Sequence, residues 1–232
     1  MRRAGVWLTP LMLAFGALPG GRWILPVVLP LTIYPRFAHL VREGDTIAAW
    51  KLGLLWAGLL SAGVIGWVAL NPFLAANGIW HGEPYREEMF GWITTGLAPE
   101  NDWRQFLPVH ALHLGLFLAL SWVSGGYLGL VLGAALIDYM SFFVGSFAMA
   151  SRWPWLAVVV AWVPWSVVRV LSFILLGVLC SRPVLQRRMW PFGPAEKRLV
   201  AIAASGIVAD LLIKWLCARG YGHFLATLLA GH

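Results

Sequence analysis

The chain has 232 residues, of which 60% are hydrophobic and only 12% charged, against about 45–50% and about 25% in an ordinary soluble domain. Its formal net charge is +7. The basic residues cluster beside apolar runs, where anionic headgroups attract them, so the charge is read as a membrane signal and not a nucleic-acid one. The two cysteines, Cys180 and Cys217, fall in or at the end of apolar runs; they fit no metal spacing and give no disulfide framework.

Several apolar runs reach the length of about 18 residues or more that crosses a hydrocarbon core of roughly 30 Å. Runs such as residues 54–70, LLWAGLLSAGVIGWVAL, do not alternate apolar and polar residues as a barrel strand does. The fold expected is therefore all-α: a polytopic helical membrane protein in one integral membrane domain spanning residues 1–232. It has about five full spans, a broken N-terminal re-entrant hairpin and an amphipathic helix on the outer surface.

In chain order, the N-terminus has the basic and apolar regions of a signal peptide but a poor cleavage triplet, Ala14-Phe15-Gly16, and is expected to be retained. Residues 5–34 are apolar but interrupted by Pro10, Pro19, Gly20, Gly21, Pro26 and Pro30. Proline removes a backbone donor and clashes with the preceding turn, so a hairpin turning at Pro19-Gly20-Gly21 is expected, with Arg22 needing a partner or water. A short amphipathic linker, residues 35–51, overlaps the first span, 47–70, which Asn71-Pro72 stops. The polar loop 71–105 follows. Further spans are expected at 106–124, 127–149, 155–180 and 199–217, with a tight turn at Gly125-Gly126 and a basic loop at 181–198. Tryptophans at run ends (Trp80, Trp92, Trp103, Trp153, Trp155 and Trp190) suit an interfacial belt.

Lys and Arg near span ends set orientation. The loop 181–198 carries Arg182, Arg187, Arg188, Lys197 and Arg198 and is expected in the cytoplasm of a cell with this protein in its inner membrane; residues 81–105 are expected outside. That outer stretch is a polar island in an oily chain, holding His81, Glu83, Glu87, Glu88, Glu100 and Asp102. Pro84 and Gly96 suit the start and stop of a helix with Tyr85, Met89, Trp92 and Ile93 on one face, lying on the membrane surface. Asp102 and Gln105 read as a capping box that starts the next helix at Trp103.

Two sets of residues are too costly in a bilayer to be incidental. His110 and His113 share a helix face, roughly 6–10 Å inside the start of their span at 1.5 Å per residue. Asp210 is expected at the depth of His113, with Lys214 one turn further on the same face, so His110, His113, Asp210 and Lys214 form a candidate polar cluster. Asp138 and Arg169 lie near mid-depth on antiparallel neighbours and are expected to pair, because an unpaired charge there costs about 2.5–3.5 kcal/mol even on low estimates. Gly129 and Gly133 form a GxxxG pair, and Gly58, Gly63 and Gly66 a similar small face, both suited to close helix contact.

Trp103-Arg104 followed by His110 and His113 resembles an early stretch of the rhomboid intramembrane proteases, and Ala203-Ala204-Ser205-Gly206 resembles their GxSG serine motif with the first glycine replaced. The resemblance implies a serine nucleophile at Ser205 and a histidine one full span beyond it. Here His223 follows Ser205 by only 18 residues, too few for a return crossing, so that catalytic pair is not assigned. Pro164 and Gly177 are spaced as in the PHGxxE span of the stage II sporulation protein M-like family, but Trp165, Ser166 and Arg169 stand at its remaining positions.

No nucleotide loop, nucleophile elbow or metal box is present, so no catalytic residue, metal or cofactor is assigned. The leading expectation is a non-enzymatic scaffold or subunit of an inner-membrane assembly, whose partners are the lipid bilayer and other membrane subunits. A small transporter or proton-coupled permease using the intramembrane Asp, Arg and Lys is the first alternative. A membrane enzyme with a His/Asp site at the outer surface is the second.

Overall fold

The structure is a computed structural model that describes residues 3–96, 99–187 and 193–229. Among these residues there is no strand, and five helices are long and apolar enough to cross a membrane. The elements in chain order are α1 (Thr9–Met12), α2 (Gly21–Val28), α3 (Tyr34–Arg42), α4 (Thr46–Leu70), α5 (Pro72–Gly78), α6 (Gly82–Thr95), α7 (Trp103–Val123), α8 (Tyr127–Ala150), α9 (Pro154–Val160), α10 (Pro164–Gln186) and α11 (Pro194–Leu229). The five long helices are α4, α7, α8, α10 and α11.

Local chemistry sets most of the boundaries. Asp45 caps α4 by accepting from the Ala48 N–H at 3.0 Å, and Asn71 ends it while capping α5 through the Leu74 N–H at 3.0 Å. Asp102 starts α7, but its carboxylate takes the Arg104 N–H, and the Gln105 side chain bonds the carboxylate itself and not the Asp102 backbone. The expected reciprocal box is thus replaced by a simple cap. α6 begins two residues before Pro84, after His81 in the left-handed region at φ 61°, and ends at Gly96 with φ 68°. The turn before α8 needs positive φ at Gly125 and Gly126, and the Phe37 ring and Ser181 hydroxyl close over Gly126, leaving no room for a Cβ.

α8 is the central pillar. In its apolar window 72% of the residues are buried, against 22% in α7 and in α11, whose other faces are left for lipid. Between helices in hydrocarbon there is little hydrophobic drive, so close packing holds the bundle together. Gly145 of α8 sits against Val68 of α4, Gly129 against Ser121 of α7, Gly177 of α10 against Phe117, and Gly206 of α11 against Ser172. Gly129 and Gly133 both face α7, so this GxxxG face is used inside the chain.

Three sequence expectations need correction. The segment expected to cross at 155–180 is interrupted at Ala161–Val163: Val163 is extended (ψ 138°) before Pro164, so α9 is a separate short helix and the span is α10. The last helix does not stop near Cys217. α11 runs 36 residues, about 54 Å at 1.5 Å per residue, and its far end packs Gly222 on Trp92 of α6 while Tyr221 donates to the Val160 carbonyl. Trp92 itself is core and not belt: it is 1% exposed and donates to Asn101 Oδ1 at 3.1 Å. Trp103, Trp153 and Trp155 are exposed, and Trp190 lies outside the described residues.

The N-terminal arm turns at Gly20 (φ 72°). Its tip packs Gly16 against the Trp67 ring and the Gly78 carbonyl, with Trp23 against Trp80 at 6.2 Å, so it reaches the α5–α6 end of the bundle. Arg22 at that tip is exposed, which removes its need for a buried partner. The descending leg bends by 46° between Gly21–Thr32 and Tyr34–Arg42 and reaches the opposite end, where Tyr34 donates to the Ser124 carbonyl at 3.3 Å.

Candidate functional site

The bundle's charges converge on Asp210. This residue is 16 positions into α11 (210 − 194) and Arg169 is 17 positions before the end of α10 (186 − 169), so antiparallel packing of the two helices brings them level. Arg169 grips the carboxylate with two donors, Nε to Oδ2 at 3.0 Å and Nη2 to Oδ1 at 3.2 Å, the forked geometry that suits a guanidinium to a carboxylate. His110 reaches the same carboxylate from α7, Nε2 to Oδ2 at 2.5 Å. An ionised carboxylate only accepts, so neutral His110 carries its proton on Nε2 and presents Nδ1 as an acceptor. Asp210 has 0% and His110 6% exposure, while the Arg169 side chain keeps 21%. One carboxylate thus ties three helices and balances a cation and a polar ring away from water.

The other members of the site lie along the same column. His113, one turn further into α7, is partly buried and lines a cavity of about 60 Å³ together with His110, Arg169, Tyr139 and Met140. That is room for a few water-sized groups. In the other direction Lys214, one turn beyond Asp210, is 3% exposed. It pairs with Glu100 Oε2 at 2.7 Å, and its Nζ stands 4.5 Å from the centre of the Phe106 ring. The structure therefore places His110 on Asp210, leaves His113 beside them on the cavity wall, and gives Lys214 to the polar loop.

The expected Asp138–Arg169 pair is not formed. Arg169 is on Asp210, and both oxygens of Asp138 are buried without a hydrogen-bond partner. The reason is rotational. Leu136, Ile137, Tyr139 and Met140 of α8 line the cavity at Arg169, and at about 100° per residue their mean direction is opposite to that of residue 138. Asp138 therefore shares its face with Ala134 and Phe142, which belong to the buried core.

The remaining island residues cap and cover this column. Glu83 pairs with Arg86 at 2.5 Å. Glu87 is exposed, Glu88 reaches the surface with its carboxyl turned partly inward, and His81 stacks edge-on to Tyr139 with centroids 5.6 Å apart. The apolar face of α6, with Met89, Trp92 and Ile93, is taken up by Phe143 and Phe147 of α8 and by α11, so protein and not lipid covers it. Partial enclosure, and then the charge of Glu100, holds the Glu88 carboxyl above its ordinary range, against the opposing pull of Lys214 and His81. Tyr85 is pushed well up by burial and, next, by Glu100.

Sequence reasoning missed Glu100 as the partner of Lys214 and Tyr139 and Met140 as cavity lining. Arg169 was singled out, but for the wrong carboxylate. The signal that finds its partner is Pro164: a span starting there carries Arg169 within its first two turns, level with Asp210.

Ser205 is exposed, and α11 is continuous through His223, which puts the two about 27 Å apart along one helix axis. Among the described residues no group of three or more His, Cys, Asp and Glu side chains is placed to hold a metal ion. Comparison with family models, curated proteins and solved structures finds no match to this chain. By its fold the chain is an all-α polytopic membrane protein, with an ionised cluster enclosed among three of its long helices.

Proposed function

We propose that this chain is a small proton-coupled permease for an anionic solute, with the Arg169–Asp210–His110 cluster as its coupling site. The observation that carries the reading is the sharing of one buried carboxylate by a guanidinium and an imidazole beside a cavity that both Arg169 and His113 line. Ionisable side chains inside a membrane bundle are rare and costly, and they mark substrate, ion and proton pathways.

The coupling follows from charge. While Asp210 is ionised it neutralises Arg169. A proton delivered to the carboxylate through His110 removes the counter-charge, and Arg169 then presents its donors to an anion in the cavity. Loss of the proton restores the Arg169–Asp210 pair and expels the anion. Among the described residues lining the cavity there is no Ser, Thr or Cys, so an enzymatic reading lacks an alcohol or thiol nucleophile there. A scaffold needs no shared titratable cluster at all. Basic residues at the α3 end and in residues 181–198 support orienting that end to the cytoplasm of an inner membrane, with α6 and the cluster in the outer half.

Two measurements test this. Vesicles containing the protein, loaded with a total cell extract and given an inward proton gradient, are expected to retain or release at least one anion differently from empty vesicles, as read by mass spectrometry. Identical profiles, or a difference that survives Asp210→Asn, contradict the proposal. For sidedness, an impermeant thiol reagent added outside cells lacking the native cysteines is expected to modify a cysteine at Glu87 and not one at Gln186; the opposite pattern reverses the orientation.

A further inference from the structure

A second polar opening lies at the end of the bundle remote from α6. Where α3 meets the first turns of α4, a pocket of about 450 Å³ is lined by Arg36, Asp45 and Lys51 together with Leu40, Leu52 and Leu55. Arg36 stands nine residues before the Asp45 cap (45 − 36) and Lys51 six after it (51 − 45), and the chain reverses between them at Gly44, where φ is 81°. The sequence thus brings two cations from successive helices to one opening.

Neither cation is used within the chain. Arg86, Arg169, Arg182 and Lys214 each meet a carboxylate, but among the described residues Arg36 and Lys51 form no ion pair and no side-chain hydrogen bond. The one carboxylate on the wall, Asp45, accepts the Ala48 N–H at 3.0 Å, at the positive end of a 25-residue helix. Its charge is offset in part by its own helix. The pocket keeps two cations against one such carboxylate, a surplus of one positive charge.

The depth of the pocket selects the kind of anion. α4 is 25 residues long, about 38 Å, and exceeds a hydrocarbon core of roughly 30 Å by about 8 Å. Lys51 lies five residues past its first residue (51 − 46), also about 8 Å along the axis. Its ammonium stands within snorkelling reach of the headgroup phosphates. The wall beyond it is hydrocarbon, with Leu52 next in line and Leu55 one turn deeper on the same face. We infer that the pocket binds the phosphodiester of a singly charged anionic phospholipid, with Arg36 and Lys51 on the phosphate oxygens and Leu52 and Leu55 along the start of an acyl chain. One phosphodiester charge matches the surplus, and basic pockets between helices at the membrane surface hold such headgroups. A choline lipid brings the same phosphate with its own cation, which cancels the attraction. The inference is independent of any transport at Asp210.

The test uses the purified full chain in neutral detergent micelles, titrated with dioleoyl phosphatidylglycerol or dioleoyl phosphatidylcholine and read by native mass spectrometry. The two lipids share their chains and their phosphate. Phosphatidylglycerol is expected to bind at least tenfold more tightly. Arg36→Gln/Lys51→Gln is expected to remove that preference with no fall in melting temperature, because no ion pair is lost. Arg152→Gln/Arg219→Gln, two exposed cations at the α6 end, is expected to keep it. Asp45→Asn retains a good helix cap while removing the opposing charge, and is expected to tighten phosphatidylglycerol binding at least twofold.

Equal binding of the two lipids, a preference that survives Arg36→Gln/Lys51→Gln, or an equal loss in the Arg152→Gln/Arg219→Gln control overturns the inference. Displacement of the lipid by inorganic phosphate in the same buffer assigns the pocket to a soluble anion and also overturns it. Should the Arg36→Gln/Lys51→Gln variant fail to fold, Asp45→Asn decides: binding unchanged or weakened there contradicts a phosphate held between Arg36 and Lys51.

Discussion

Replacing Asp210 with leucine removes the carboxylate that serves both Arg169 and His110. Three contacts go with it, at 2.5, 3.0 and 3.2 Å, from a residue with 0% exposure. The dominant loss is not the contacts themselves but the guanidinium left without a counter-charge. Breaking a buried pair in this way costs about 3–5 kcal/mol. Replacing both partners, Asp210→Leu with Arg169→Met, leaves only the His110 N–H unsatisfied, about 1–3 kcal/mol. The double variant is therefore expected to be more stable than Asp210→Leu alone by roughly 2 kcal/mol, and the two single effects are expected to be strongly non-additive in a double-mutant cycle, as they are for residues in contact. Equilibrium unfolding in mixed micelles, followed by tryptophan fluorescence, measures it. Additive single effects, or a double variant less stable than either single one, refute the claim that Asp210 and Arg169 neutralise each other inside the bundle.

Other outcomes follow from the same contacts. Glu100→Gln leaves Lys214 buried beside Phe106 without its carboxylate and is expected to destabilise by about 3 kcal/mol, with loss of protection of residues 99–101 in proteolysis; Glu87→Gln, on an exposed residue, is expected to do neither. Glu88 is held above its ordinary range when folded, so the folded state binds the more protons, and stability at this position is lost as pH rises from the ordinary carboxylate value through the raised one. Glu88→Gln is thus expected to raise the melting temperature at pH 7 and to have no effect near pH 3; the same gain at both values refutes it. Asp138 carries two buried oxygens with no partner, so Asp138→Leu is expected to be neutral or stabilising, and destabilisation by more than about 2 kcal/mol would contradict its isolation.

Much of the architecture could be read from residue pattern because each cue was local. Asp45, Asn71 and Asp102 start helices through their side-chain oxygens, Gly96 and the Gly125-Gly126 pair end or join them through positive φ, and apolar run length finds the five spans. The break before Pro164 was also local, since the residue preceding a proline leaves the helical region, but an unbroken apolar run masked it. The extension of α11 was hidden because its cause is tertiary: Ala218, Gly222 and Leu225 are buried, with Gly222 closed by Trp92, although the apolar run has already ended at Arg219.

The site divides the same way. Depth along a helix is additive at 1.5 Å per residue, but counts from the expected span ends set Arg169 at mid-depth with Asp138, and Asp210 in the outer half with His113; the span starts at Pro164 and not at residue 155, which brings Arg169 level with Asp210. Rotation is not so forgiving, because an error of one residue turns a side chain by about 100°. Asp138 stood at the level expected for Arg169 on a neighbouring helix, and counting does not show that its side chain turns the other way. Glu100 was invisible as the partner of Lys214 because its position depends on how residues 99–101 fold back over α11.

The most direct measurement is proton movement itself. Vesicles containing the protein, loaded with cell extract and a trapped pH-sensitive dye, receive a sudden drop in external pH with potassium and valinomycin clamping the membrane potential. The account predicts acidification of the lumen faster than in empty vesicles, abolished in Asp210→Asn and in His110→Gln and retained in Asp138→Asn. Lumen acidification no faster than that of empty vesicles, or one that persists in Asp210→Asn, contradicts it.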